Sequence, residues 1–82
     1  MAAGADPVRV ITDAIAEHRP GEHDPDSDIL LQIGLDSLDY ASVVVTVEDQ
    51  LGVALREEEI DWSRVNTIRD LAGVFERHSD PA

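Results

Sequence analysis

Residues 37–51, Ser-Leu-Asp-Tyr-Ala-Ser-Val-Val-Val-Thr-Val-Glu-Asp-Gln-Leu, lie between a start signal and a stop signal, and that bracket constrains the fold most. Asp36 and Ser37 are both favoured helix caps, and Gly52 is a favoured terminator. The interval is about four helical turns long. Val43-Val44-Val45-Thr46-Val47 is β-branched and, taken alone, suits a buried strand. The spacing between cap and glycine favours a helix, along which Leu38, Ala41, Val44 or Val45, and Leu51 keep a stripe. A buried helix tolerates such branching at a small cost per residue. A serine at its start holds its hydroxyl in the open, at the end of a helix dipole that favours phosphate.

The flanking segments predict more helices. Asp6-Pro7 reads as an N-cap followed by proline at the first helical position. Val8, Ile11, Ala14, Ile15 and His18 follow at helical spacing, Arg19 falls in the last turn, and Pro20-Gly21 ends the helix. Residues 20–34 form a long loop rich in Pro, Gly, Asp and Ser. Its Ile29, Leu30, Leu31 and Ile33 are too apolar to hang free, so some fold back onto the core as a helical turn. A short third helix fits Arg56-Glu57-Glu58-Glu59 and the residues up to Val65, with acids outward and Ile60 or Trp62 inward. Thr67 and Asp70 make a capping-box pair that opens a last helix through Ile68, Leu71, Ala72 and Phe75, fraying after Arg77-His78. The expected fold is all-α: a small four-helix bundle of three main helices plus a short third, with a long first loop. Residues 1–6 are expected to be a disordered tail, 7–78 the domain and 79–82 a C-terminal tail. The expected core comprises Ile29, Leu31, Tyr40, Val44, Val47, Ile68, Leu71 and Phe75.

The 82 residues suffice for one small domain with a modest core. No cysteine is present, which excludes disulfides, thiolate metal sites and a cysteine nucleophile. Eighteen acidic and six basic residues, all six arginine, give a formal net charge of −12. That balance argues against nucleic acid, whose phosphates need a basic surface, and favours basic protein partners. No window suits a membrane span, and the start lacks the basic and apolar regions of a signal peptide. A cytoplasmic monomer with no membrane contact is the expectation.

Gly34-Leu35-Asp36-Ser37-Leu38-Asp39 resembles the attachment motif of the acyl carrier protein family, Asp-Ser-Leu after a Gly-containing turn. Glu48, Asp49 and Leu51-Gly52-Val53 resemble that family's acidic end of helix two and the turn after it. Val65-Asn66-Thr67-Ile68 is similar to its segment before the last helix. The resemblance spans residues 7–78 and implies a carrier rather than an enzyme, bearing 4′-phosphopantetheine from coenzyme A on Ser37. It implies no catalytic residue and no metal. Asp36 and Leu38 would flank the attachment point. Leu38, Ala41, Val45 and Val65 would be apolar partner contacts, with a core role equally open to Leu38, Ala41 and Val65, and Asp39, Glu48 and Asp49 an acidic face for basic partners. The partners implied are a phosphopantetheinyl transferase and acyl-loading, ketosynthase-type or ligase-type biosynthetic enzymes. The space between helices can shelter an acyl chain in that family. Leu31-Gln32 stands where an acidic pair is common, Ser42 and Val45 replace an acid and a methionine, and the third-helix segment is longer and holds Trp62. These departures point from housekeeping fatty-acid synthesis towards a stand-alone carrier of a specialised polyketide or peptide-like pathway. Leu35-Asp36 before the serine favours the acyl branch over the aminoacyl or peptidyl one.

Other patterns are weaker. Asp24, Asp26 and Asp28 have the opening spacing of a calcium-binding EF-hand loop, but Ile29 replaces the required glycine and Leu35 the bidentate glutamate. His18, His23 and His78 lack the spacing of a zinc site. An acidic interaction domain that never receives a prosthetic group would keep the same bundle and use Ser37 only as a cap.

Overall fold

The computed structural model describes residues 6–82, so residues 1–5 of the tail expected at residues 1–6 lie outside the described residues. Asp6 caps the first helix by accepting a hydrogen bond from the Val8 N–H at 3.0 Å, and Pro7 takes the first helical position. Helix α1, Pro7–Ala16, buries Ile11, Ala14 and Ile15. It unwinds before Pro20-Gly21, with the N–H groups of His18 and Arg19 both donating to the Ile15 carbonyl.

Helix α2 spans Ser37–Leu51, and Gly52 ends it in a left-handed conformation at φ 69°. Val43 and Val47 are fully buried, and Tyr40, Val44 and Leu51 pack against the core from partly buried positions. Alternation along a strand would put Val43, Val45 and Val47 on one face. Val45 is instead 55% exposed, as a helical repeat requires. Tyr40, Val44, Val47 and Leu51 face inward as expected and Val43 joins them, while Leu38 and Ala41 of the expected stripe lie on the outside.

The long connection folds back at Ile29–Ile33, a single π-helical turn. Asp28 caps it, its carboxylate accepting from the N–H groups of Leu30 and Leu31 at 3.0 and 2.8 Å. One turn can present only one side to the core. Ile29 takes that side at 1% exposure, while Leu31, expected in the core, is 86% exposed. Gly34 closes the turn at φ 89°, and Leu35 enters the core behind it. The Ile29 N–H donates to the Asn66 carbonyl and the Arg69 N–H to the Pro25 carbonyl, which fastens the loop to the final helix.

The expected third helix is two 3₁₀ turns, Glu57–Glu59 and Trp62–Arg64, separated by extended backbone at Ile60. Three adjacent glutamates cannot bury a face, so Ile60 alone anchors this stretch to the core while Trp62 stays 36% exposed. Helix α3, Ile68–Arg77, starts in the expected capping box: Thr67 accepts from the Asp70 N–H, and the Asp70 carboxylate accepts from the Thr67 N–H. Ile68, Leu71, Ala72, Val74 and Phe75 join the core cluster, with α3 packed chiefly on α1.

The bundle carries one unexpected element. Strand β1, Val53–Leu55, pairs antiparallel with β2, Ser79–Pro81, so residues 79–82 are held rather than trailing. Arg56 fixes the pair by donating to Asp80 at 2.6 Å and to the carbonyls of Ser79 and Arg77. A guanidinium has five donors in a fixed fork; Nη1 and Nη2 make three bonds across the joint, and Nε–H turns to Glu59 on its own side.

Candidate functional site

The start of α2 is built so that Asp36 caps and Ser37 does not. Asp36 has extended backbone, and its carboxylate accepts from the Asp39 N–H at 2.8 Å. Ser37 is the first helical residue, exposed, and its hydroxyl has no hydrogen-bond partner among the described residues. The two favoured cap residues thus divide the work, one holding the helix and the other presenting a free hydroxyl. Leu38 beside it is 81% exposed.

The end of α1 clamps this helix start. His18 Nδ1 lies 3.3 Å and Arg19 Nη1 3.9 Å from the two oxygens of Asp39, and Arg19 also donates to the Gly34 carbonyl at 3.1 Å. Asp39 is therefore half-buried and engaged within the chain, unlike the free docking acid expected. Glu48 is similarly occupied: its carboxylate accepts from the Leu55 N–H at 2.8 Å and closes the turn into β1. Asp49 is exposed, as are Ala41 and Val45. Val65, open on the sequence to a docking or a core role, is 9% exposed and belongs to the core.

The aspartates of the long loop have structural partners. Asp24 accepts from the Asp26 N–H, Asp26 pairs with Arg69 at 2.8 Å, and Asp28 caps the π-helical turn. These bonds account for their spacing without a cation.

A groove of about 350 Å³ opens beside Ser37. One wall is α2, through Ala41, Val44 and Val45, and Trp62 stands across it with its ring edge-to-face on Tyr40, centroids 6.3 Å apart. Glu48 and Glu57 complete the lining. The family resemblance singled out Ala41 and Val45, but neither Trp62 nor Glu57 carries a local signal that it lines this groove. A second cleft of about 280 Å³, between the Trp62–Arg64 turn and α3, lies away from Ser37 and mixes acids with Arg64 and Arg77.

Tyr40 is the most perturbed group at this site. Burial foremost, then the carboxylates of Asp70 and Asp28, push its hydroxyl up to about 12 from the ordinary 10.0. That hydroxyl is buried and lacks a hydrogen-bond partner among the described residues. A phenol with a raised folded-state pKa holds its proton more tightly when folded. Its contribution is complete below pH 10 and lost as pH rises towards 12. The loss should be on the order of 1–2 kcal/mol, discounted for partial exposure. Urea melts between pH 9 and 12, as about the range to cover, should show that fall in the native chain. Tyr40→Phe should remove the step and, by deleting an unpaired buried hydroxyl, raise stability at pH 7 by up to about 1 kcal/mol.

A helical bundle presenting an unengaged serine hydroxyl at a helix start, beside a groove with apolar walls, has the form that a carrier domain requires. The family model described as phosphopantetheine attachment site matches residues 9–75. An acyl carrier protein homolog of Ureaplasma parvum serovar 3 is 36% identical over 47 residues, 57% of this chain and 58% of that protein. Acyl carrier protein MbtL of Mycobacterium bovis, like that of Mycobacterium tuberculosis, is 47% identical over 36 residues, 44% of this chain and 43% of theirs. The chain thus spans about half the length of the curated relatives it matches. No solved structure matches it. The chain belongs to the acyl carrier protein family, whose domain bears a covalent 4′-phosphopantetheine and is a carrier, not an enzyme. Among the described residues no helix is long and apolar enough to cross a membrane.

Proposed function

We propose that Ser37 is the attachment residue and that the chain carries acyl intermediates of a polyketide- or fatty-acid-type pathway in the cytoplasm. The observation that carries this reading is the division of labour at the start of α2, where Asp36 supplies the cap and Ser37 has an exposed, unengaged hydroxyl. The residues fit the group. N–H groups at the first turn of a helix suit a phosphodiester by geometry and dipole. The arm, once attached, supplies a thiol on which acyl cargo is held as a thioester, a function this cysteine-free chain cannot provide itself.

In the loading step a transferase takes the proton from the Ser37 hydroxyl. The serine oxygen then forms a bond to phosphorus, the pyrophosphate bridge of coenzyme A breaks, and adenosine bisphosphate leaves. Leu38, Ala41 and Val45 form the exposed apolar contacts for that transferase and for the acyl-loading, ketosynthase-type or ligase-type enzymes that follow. Asp36 and Asp49 supply charges for basic partners, whose main effect is on encounter rate. Asp39 and Glu48 contribute less to docking, because both are tied within the chain.

Incubation with a promiscuous phosphopantetheinyl transferase and coenzyme A should add one 4′-phosphopantetheine, located by fragment mass spectrometry to the peptide containing Ser37. An unmodified mass, with folded protein and active transferase, would sink the proposal in favour of an acidic interaction domain.

A further inference from the structure

Among the described residues, Arg19 is the one side chain from another element that is engaged on both sides of Ser37. Its Nη2 donates to the Gly34 carbonyl at 3.1 Å, ahead of the serine, and its Nη1 stands 3.9 Å from the Asp39 carboxylate, behind it. The guanidinium is itself held, because Nη1 donates to the His18 carbonyl at 3.0 Å. The Arg19 carbonyl in turn accepts from His23 Nε2 at 2.6 Å, which fixes the end of α1 from which the side chain extends. Asp39 is engaged twice: its N–H donates to the Asp36 carboxylate, and its own carboxylate meets Arg19 and His18. Gly34 lies at φ 89°, and glycine has more backbone conformations open to it than any other residue. The turn ahead of the serine is therefore the point most in need of an outside tie.

We infer that Arg19 is a positioning residue for attachment of the arm: its guanidinium spans the Gly34 turn and the first turn of α2, and so keeps Ser37 in the orientation that a transferase captures. The inference rests on Ser37 being the attachment residue. A guanidinium suits the task because its donors lie in one rigid fork, so a single group holds a carbonyl and a carboxylate together. An ammonium carries the same charge without the fork. When the bridge is missing, the Gly34 turn samples other orientations and only the competent fraction is captured. Apparent affinity falls by that fraction, while the rate at saturation is kept. Charge alone predicts the opposite sign. Removing a cation makes this chain, already at −12, more acidic and favours encounter with a basic enzyme, which would lower KM.

The full chain would serve as the varied substrate of a promiscuous phosphopantetheinyl transferase at saturating coenzyme A, with loading read by intact mass. Arg19→Gln and Arg19→Lys should each raise KM about fivefold and leave kcat within about twofold of the native chain. Amide exchange of the unloaded variants, followed by NMR without transferase, should quicken about fivefold at Gly34 and Leu35, whose N–H groups both donate to the Ile29 carbonyl. The Leu71 N–H, bonded to the Thr67 carbonyl in the last helix, should change by less than about twofold. An unchanged KM in Arg19→Gln would overturn the inference, and so would a native KM in Arg19→Lys, which would leave charge as the cause. A raised KM with native exchange at Gly34 and Leu35 would make Arg19 a transferase contact and overturn positioning. Equal quickening at Leu71 would mark a general loss of stability and overturn it as well. Each of these results leaves the attachment site intact, whereas a native chain that gains no mass would overturn the attachment reading and this inference with it.

Discussion

Ser37→Ala should abolish loading by transferase and coenzyme A completely, yet leave the unfolding free energy from urea denaturation within about 0.5 kcal/mol of the native chain. The hydroxyl it removes bonds to nothing among the described residues, and the helix keeps its cap because Asp36 provides it. Asp36→Ala should behave in the opposite way. Losing the bond from its carboxylate to the Asp39 N–H should cost about 1 kcal/mol, as cap removals do. Loading of that variant should slow through a looser helix start but still reach completion. The pair separates chemistry from capping at adjacent positions, which a single serine variant cannot do. If Ser37→Ala lowered stability as much as Asp36→Ala, the serine would be the structural cap and its exposure incidental.

Leu71→Ala should cost about 3 kcal/mol, while Leu31→Ala should change stability by less than about 0.5 kcal/mol. Leu71 is fully buried between the helices, and its removal leaves a cavity as well as a lost transfer energy. Leu31 is 86% exposed and has little packing to lose. A chain of this size is stable by only ~4–12 kcal/mol, so the first change removes a large share of the total. Urea denaturation of both variants, with the native chain beside them, measures the difference. A loss at Leu31 comparable with that at Leu71 would mean that the π-helical turn packs inward in solution.

Those two leucines also show where local pattern informs and where it stops. Leu71 sits in a helix with a complete capping box and a clean apolar repeat, so its burial is legible from residues 67–75 alone. Leu31 lies in Ile-Leu-Leu-Gln-Ile, where every position is apolar or neutral and no periodicity selects the inward one. Selection there comes from contacts outside the run: Asp28 caps the turn, and the Ile29 N–H bond to the Asn66 carbonyl ties Ile29 to the segment that opens the last helix. The Val43–Val47 run posed the same difficulty within a helix whose ends were well marked. Its existence was readable and its rotation only in part: Tyr40, Val44 and Val47 were expected inward, but five branched residues gave no sign that Val43 is buried or that Leu38 and Ala41 face out. At the candidate site the motif was plain in Asp36-Ser37-Leu38. The clamp of His18 and Arg19 on Asp39, the tie of Glu48 to Leu55 and the placing of Trp62 are contacts between separate elements. Sequence spacing carries no trace of them. Nor did the Ser79–Pro81 strand announce itself, since three residues ending in proline hold too little pattern and Arg56 supplies most of the attachment.

The fastening of β2 to β1 also gives the molecule a polarity. The Ala82 N–H donates to the Gly52 carbonyl, at the far end of α2 from Ser37. Fifteen helical residues separate those ends, about 22 Å. Helix α1 meets the Ser37 end of α2 through His18 and Arg19, so it runs antiparallel and its own start at Pro7 lies towards the Gly52 end. Both extremities of the described chain therefore gather at one pole, and the serine faces away from them at the other. A tag, a surface anchor or a neighbouring domain joined at either extremity would leave the serine pole turned outward, free to be visited by successive enzymes.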